Sequence, residues 1–169
     1  MGFSFAVFQS NKRKRMLVMQ TLSALLWTAH FFLLGAFTGS AMNLITVGRN
    51  YVFFEVGKKR DVRIPLMIGA VFILAAILTW QGPSSLLPLT GSLIGTLAFW
   101  QIKPHYIRLI AIPGPCCWFA YNVLSRSYAG MMTDSLVLLS VLLGIYRFDI
   151  LPVIRSSAKK KLGKQPKVA

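Results

Sequence analysis

Six long apolar runs, divided by turn residues and basic clusters, govern what this chain can fold into: Met16 to Ala36, Phe37 to Phe54, Ile64 to Trp80, Leu86 to Ile102, Tyr106 to Ser125, and Ser127 to Tyr146. Each is close to the ~17 to 25 residues that cross a ~30 Å hydrocarbon core as a helix, the state in which backbone N–H and C=O groups find partners within the segment itself. The chain is 55% apolar and 14% charged, against about 25% charged residues in a soluble domain. These features predict an all-α polytopic membrane protein with six full transmembrane helices. The opening "MGFSFAVFQ" rises only about 13 Å as a helix. It reads as a truncated first helix, or as a misassigned start, and counting it as helix one makes seven.

A net charge of +15 raises the question of nucleic acid, and the positions of the basic residues answer it. Lys12 to Arg15 precede the second helix, Lys58, Lys59, Arg60 and Arg63 follow the third, and Lys103 and Arg108 flank the fifth-to-sixth turn. The tail carries Arg147 to Lys167, whereas the intervening turns hold only Arg126. This alternation is the positive-inside pattern and predicts cytoplasmic basic loops and a cytoplasmic tail. "AKKKLGKQPKVA" then reads as a solvated tail near anionic lipid, with no nucleic-acid partner.

Sliding the sequence along itself by 91 positions superposes Phe8 on Phe99, Lys12 on Lys103, Trp27 on Trp118, Gly39 on Gly130 and Asn43 on Asp134. The identities are sparse, but basic turn falls on basic turn and uncharged turn on uncharged turn. The expected organisation is a first three-helix repeat over 1–56, a basic loop and linker helix over 57–83, a second three-helix repeat over 84–147, and a basic tail over 148–169. An odd-numbered unit joined directly to its copy would invert the copy. The helix Ile64 to Trp80, which has no mate, restores a parallel arrangement with a shared interface near the bilayer midplane.

Asp134 stands inside an apolar run, where a carboxylate costs ~2.5 to 3.5 kcal/mol on insertion scales and therefore faces a bundle interior or a wet cavity. Two readings stay open: a ligand or proton site, or a structural carboxyl held neutral by a neighbouring helix's hydroxyl or amide. Its mate Asn43 is either interhelical glue or a second ligand group. Trp27 and Trp118 each precede that polar residue by sixteen positions, which sets ring and polar group at similar depth on antiparallel neighbours. An aromatic face beside an amide or carboxylate suits a small polar solute with one apolar side. Trp27, Asn43, Trp118 and Asp134 are the predicted site. His30, Tyr121 and Asn122, close to the tryptophans, form a second rank.

Other residues receive plainer readings. Pro113, Gly114 and Pro115 are expected to break or kink the sixth helix. Cys116 and Cys117 read as small apolar core residues rather than a bridge or metal site. Arg49 and Arg147 are expected to snorkel to the interface, and Glu55 to pair with Lys58 and Lys59 if its helix continues through Gly57. No catalytic motif is present, so neither enzyme activity, a metal nor a cofactor is expected.

The stretches "HFFLLGAFTGSAMNLITVGRN", "LLPLTGSLIGTLAFW", "CCWFAYN" and "GIYR" resemble the YgjV family of bacterial inner-membrane proteins over nearly the whole chain. That resemblance implies a bacterial inner-membrane location and a fuller first helix in relatives. More distantly, the layout looks like the SWEET and PQ-loop (MtN3-like) transporters. There a Trp on the second helix and an Asn on the third helix of each repeat line the substrate pocket. Trp27 with Asn43 and Trp118 with Asp134 fall on that pattern, although the Pro-Gln signature is reduced to Phe8-Gln9 and Trp100-Gln101 and the second Asn is Asp134. The functional expectation is a binding protein, or a passive or proton-linked carrier, for a small polar solute. The competing expectation is a membrane scaffold that docks partner proteins.

Overall fold

The computed structural model describes residues 1–57 and 61–155. The readings that fall on Lys58, Lys59, Arg60 and the tail from 156 onward therefore lie outside the described residues. No strand occurs among the described residues, and the helices are α1 (Gly2–Ala6), α2 (Arg13–Leu33), α3 (Phe37–Val56), α4 (Arg63–Leu78), α5 (Leu86–Trp100), α6 (Pro104–Ala111), α7 (Pro113–Leu124) and α8 (Tyr128–Ile145). A 3₁₀ turn at Pro83–Ser85 leads into α5, and α8 runs on through a π turn at Tyr146–Ile150 to Arg155.

Each predicted apolar run contains a helix. Among the described residues, three helical stretches are long and apolar enough to cross a membrane: Arg13–Leu33, Pro104–Leu124 and Tyr128–Arg155. Arg63–Leu78 is apolar but shorter. α5, with 15 residues, rises only about 22 Å. The expected break at the proline cluster is present, since α6 ends at Ala111 and α7 starts at Pro113 with helical backbone at Ile112 between them. α3, by contrast, does not continue through Gly57, whose φ of 62° ends it.

The distribution of side chains is inverted relative to a protein folded in water. Leu33 is 84% exposed, Leu78 76% and Leu66 68%, while Thr38, Thr46, Arg49, Asn50, Ser92, Thr96, Asn122, Thr133 and Ser140 are buried. Lipid accepts the apolar exterior without cost, and interior hydroxyls and amides bond between helices because hydrocarbon offers them nothing. Cys116 belongs to that exterior and is not the core residue expected; Cys117 is half-buried.

Packing follows a reciprocal scheme. α1 lies against α2 and α8, and α5 lies against α7 and α3. α4 docks on α3 and α5, with Phe72 and Ala76 meeting Met42. One apolar cluster (Val7, Phe8, Met16, Leu17, Phe53, Ala98, Phe99, Ile107, Ala111, Val141) fills the end of the bundle nearest the basic turns. A smaller aromatic cluster around Phe31 and Tyr121 closes the other end.

Both helix hairpins end in the same turn. At the close of α2, Ala36 N–H donates to the Phe31 carbonyl (2.9 Å) and Gly35 has φ 72°. At the close of α7, Ser127 N–H donates to the Asn122 carbonyl (2.9 Å) and Arg126 has φ 53°. This six-to-one bond with a left-handed residue is the Schellman arrangement, which satisfies the last carbonyls of a helix. The two instances sit at the 91-residue offset.

Candidate functional site

A cavity of about 140 Å³ lies between the two apolar clusters, reached by residues of α1, α2, α3, α5, α7 and α8. Trp27, Asn43, Trp118 and Asp134 all line it, as does Asn122. The helices supply these groups by periodicity. On α3, Asn43, Thr46 and Arg49 recur every three residues, and on α2 Gln20, Ser23, Ala24 and Trp27 fall at mixed three- and four-residue spacings, so each set faces one direction. On α5 the wall is Gly91, Ser92 and Gly95, where missing side chains admit the neighbours. A Cβ on Gly91 would lie 2.8 Å from the Trp118 indole, so that glycine is what lets the ring seat against α5.

Asp134 accepts a 2.7 Å hydrogen bond from Asn122 Nδ2, which also donates to the Trp118 carbonyl at 3.0 Å. The carboxyl group thus lines the cavity and is held by a neighbouring amide. Asn43 spends its amide on its own helix, donating to the Gly39 carbonyl at 2.9 Å. Trp27 Nε1 donates to Ser4 Oγ (3.3 Å), and Ser4 in turn shares a 2.6 Å bond with Ser23. Phe31 joins the two indoles, with ring centroids 5.7 Å from each.

His30 and Tyr121 lie outside the cavity wall and act on helix starts. Tyr121 Oη accepts from Gly39 N–H at 3.1 Å in the first turn of α3. His30 Nε2 lies 2.9 Å from Ser127 Oγ, the hydroxyl that caps α8 by accepting from Gly130 N–H. His30 and Tyr121 are offset by 91 residues, and so are Gly39 and Gly130. Close approach requires both glycines: a Cβ on Gly39 would meet the Tyr121 ring at 2.6 Å, and one on Gly130 would meet Asn122 Oδ1 at 2.0 Å.

Two arginines depart from expectation. Arg49 does not snorkel; it is 2% exposed, lines the cavity, and stacks over the Phe99 ring at 5.5 Å. Its guanidinium donates to Gln20 Oε1 (2.8 Å), to Asn50 Oδ1 (2.9 and 3.2 Å) and to Thr96 Oγ1 (3.4 Å). The interior supplies enough acceptors to draw it inward. The sequence signal was the spacing Asn43, Thr46, Arg49, a polar stripe down an otherwise apolar helix, which also identifies Thr46. Arg147, at the end of α8, is exposed as expected.

Arg108 is not a loop charge either. It is fully buried and forks onto Asp149 with bonds of 3.0 and 2.6 Å, while His105 Nδ1 approaches the same carboxylate at 3.3 Å. Its remaining donors reach Ser10 O and Asn11 Oδ1, both at 3.3 Å. Arg13 works similarly, donating to the carbonyls of Phe53 (3.0 Å) and Gly57 (3.1 Å) at the end of α3 and of Phe99 (3.0 and 3.3 Å) at the end of α5. Cations at helix C-termini satisfy orphan carbonyls and oppose the helix dipole. Phe8 and Phe99, mates under the 91-residue offset, meet between these clamps with centroids 6.3 Å apart.

The profile of the Imp-YgjV family, described as "Bacterial inner membrane protein", matches residues 1–151. The chain belongs to that family. Inner membrane protein YgjV of Escherichia coli (strain K12) is 28% identical over 123 residues, an alignment covering 70% of this chain and 63% of that protein. The chain therefore spans less than two thirds of this relative's length. No solved structure matches it. Family membership agrees with the inverted exterior: this is a helical protein of the bacterial inner membrane.

Proposed function

We propose that the chain is a multi-pass bundle of two parallel three-helix repeats joined by α4, with its basic turns cytoplasmic, and that it binds a small polar solute in the central cavity. On this reading the solute crosses passively or with a proton, and no covalent chemistry occurs. The observation that carries it is the convergence of Trp27, Asn43, Trp118 and Asp134 on one cavity. Four residues chosen from pairwise spacing on four different helices line a single space, a result that packing of unrelated helices does not favour.

The repeat itself has independent support. α1 touches α2 and α8 as α5 touches α7 and α3. The two Schellman turns match in register, and Tyr121 serves the start of α3 as His30 serves the start of α8. A two-fold relation running through the Phe8–Phe99 contact accounts for all of these at once. Asp134 gives the solute site its chemical bias, since a carboxylate selects an amino-bearing solute or carries a proton.

One observation favours the scaffold reading: Asp134 is capped by Asn122, as a purely structural carboxylate would be. Reconstituted chain and its Asp134→Asn variant separate the two. A bundle that binds solute responds to at least one small polar compound in thermal-shift and proteoliposome-uptake screens, and the variant changes that response. A scaffold responds to none, and Asp134→Asn then alters stability alone.

A further inference from the structure

We infer that the solute of this cavity is a small zwitterion, an unsubstituted amino acid of few heavy atoms, held by Arg49 at its carboxylate and by Asp134 at its amino group. The inference rests on the binding reading above and adds the chemical class.

Arg49 is 2% exposed, and all its partners, Gln20, Asn50 and Thr96, are neutral. The ion pairs among the described residues are those of Asp149 with Arg108 and His105, so no carboxylate answers Arg49. A guanidinium removed from water normally requires an anionic partner, and truncated or missing partners leave a charge costing several kcal/mol. Arg49 Nη1 has only the long 3.4 Å bond to Thr96 Oγ1 and faces the gap over Gly95, where a Cβ would come within 3.1 Å of it. That gap is part of the cavity wall.

Asp134 is the one carboxylate among the lining residues, and it does not pair with Arg49. Asn122 supplies one neutral donor to Oδ2. The two charges therefore sit at different levels of the same space. On α3, Asn43 and Arg49 are six residues, about 9 Å of helix rise, apart. Asp134 is bonded to Asn122, one turn beyond Trp118 and its seat on Gly91. Arg49 is bonded to Gln20 and Thr96, which lie further toward the basic turns. Between them, Ser92 Oγ is buried in the wall without a partner in the protein.

A cavity with a fixed cation at one level, a carboxylate at another and a spare hydroxyl between complements a molecule carrying carboxylate and ammonium on a short backbone. A simple anion would leave Asp134 without a cationic partner, and a simple amine would leave Arg49 without an anionic one. Guanidinium forks suit carboxylates geometrically. The volume of about 140 Å³ is below the ~300 to 1,000 Å³ of drug-sized sites and limits the side chain to a few atoms.

The test is equilibrium binding to the full chain in nanodiscs with glycine and L-alanine as probes, alongside N-acetylglycine, which lacks the ammonium, glycinamide, which lacks the carboxylate, and glycerol. The inference expects glycine or alanine to bind at least tenfold more tightly than N-acetylglycine or glycinamide. It also expects Arg49→Gln and Asp134→Asn each to abolish that margin. Equal binding of N-acetylglycine, or equal binding of glycinamide, overturns it in favour of a plain anion or amine site. Asp134-dependent binding of glycerol without any amino-acid binding overturns it while leaving the solute-binding reading intact. Silence from every probe overturns it, and the wider solute screen above then decides the binding reading separately. The ligand series on the unaltered chain decides among these outcomes even where a variant fails to fold.

Discussion

Single positions in this bundle are unusually exacting because buried polar atoms have no solvent to fall back on. Asn122 is the clearest case. One amide nitrogen serves both the Trp118 carbonyl and Asp134, and its oxygen lies where a Cβ on Gly130 would come within 2.0 Å. Gly130→Ala is therefore expected to displace Asn122 and cost about 1 to 3 kcal/mol, as overpacking does. Thermal unfolding in detergent measures the loss. Asn122→Ala leaves Asp134 without its donor and is expected to cost a similar amount. Arg126 differs, since its φ of 53° belongs to the left-handed region that favours glycine. Arg126→Gly is expected to hold or raise stability by about 0.5 to 1 kcal/mol, while Gly35→Ala at the matching turn lowers it by about 1 kcal/mol. Opposite signs at matching positions, read from melting midpoints, would distinguish backbone strain from a contact effect.

At the level of helices, the ends near the basic turns are tied by arginines rather than by backbone alone. Arg13 bridges the C-termini of α3 and α5 through three carbonyls, and Arg108 bridges α6 to Asp149 and to the turn after α1. A lysine offers one nitrogen where Arg13 uses three, so Arg13→Lys is expected to recover little of what Arg13→Ala loses, roughly 1.5 to 3 kcal/mol. For the fully buried Arg108, removing only the partner is the harsher change. Asp149→Ala is expected to cost about 3 to 5 kcal/mol by stranding the guanidinium. The double variant Arg108→Met with Asp149→Ala is expected to lose less than the sum of the single changes. A double-mutant cycle on denaturation midpoints reads that coupling.

The molecule as a whole is organised against lipid, and substitutions are read through that inversion. Leu139, 48% exposed on α8, would take a charge directly into hydrocarbon. Leu139→Asp is expected to lower membrane insertion by about 2.5 to 3.5 kcal/mol, measured as the inserted fraction in an in vitro translocation assay. The interior tolerates Asp134 because Asn122 and the cavity receive it.

Much of this was legible in the residues alone. Apolar runs locate the helices because a segment of that length and polarity has few other states in lipid, and the proline cluster marks the break at Ile112 because the ring removes a donor. The offset of 91 residues, with Trp and polar group at matched depth, identified four residues that line one cavity. Arg49 and Arg108 were misread, since charge alone gives no depth: a guanidinium goes to the interface or to the interior according to which acceptors neighbouring helices bring near it. Gln20, Asn50 and Thr96 come from three helices, and Asp149 lies 41 residues beyond Arg108. Spacing within a helix is set by local geometry and can be read along the chain. Which helix faces which is set by packing, and only the tertiary structure decided that a cation without an anionic partner and a carboxylate would line one cavity.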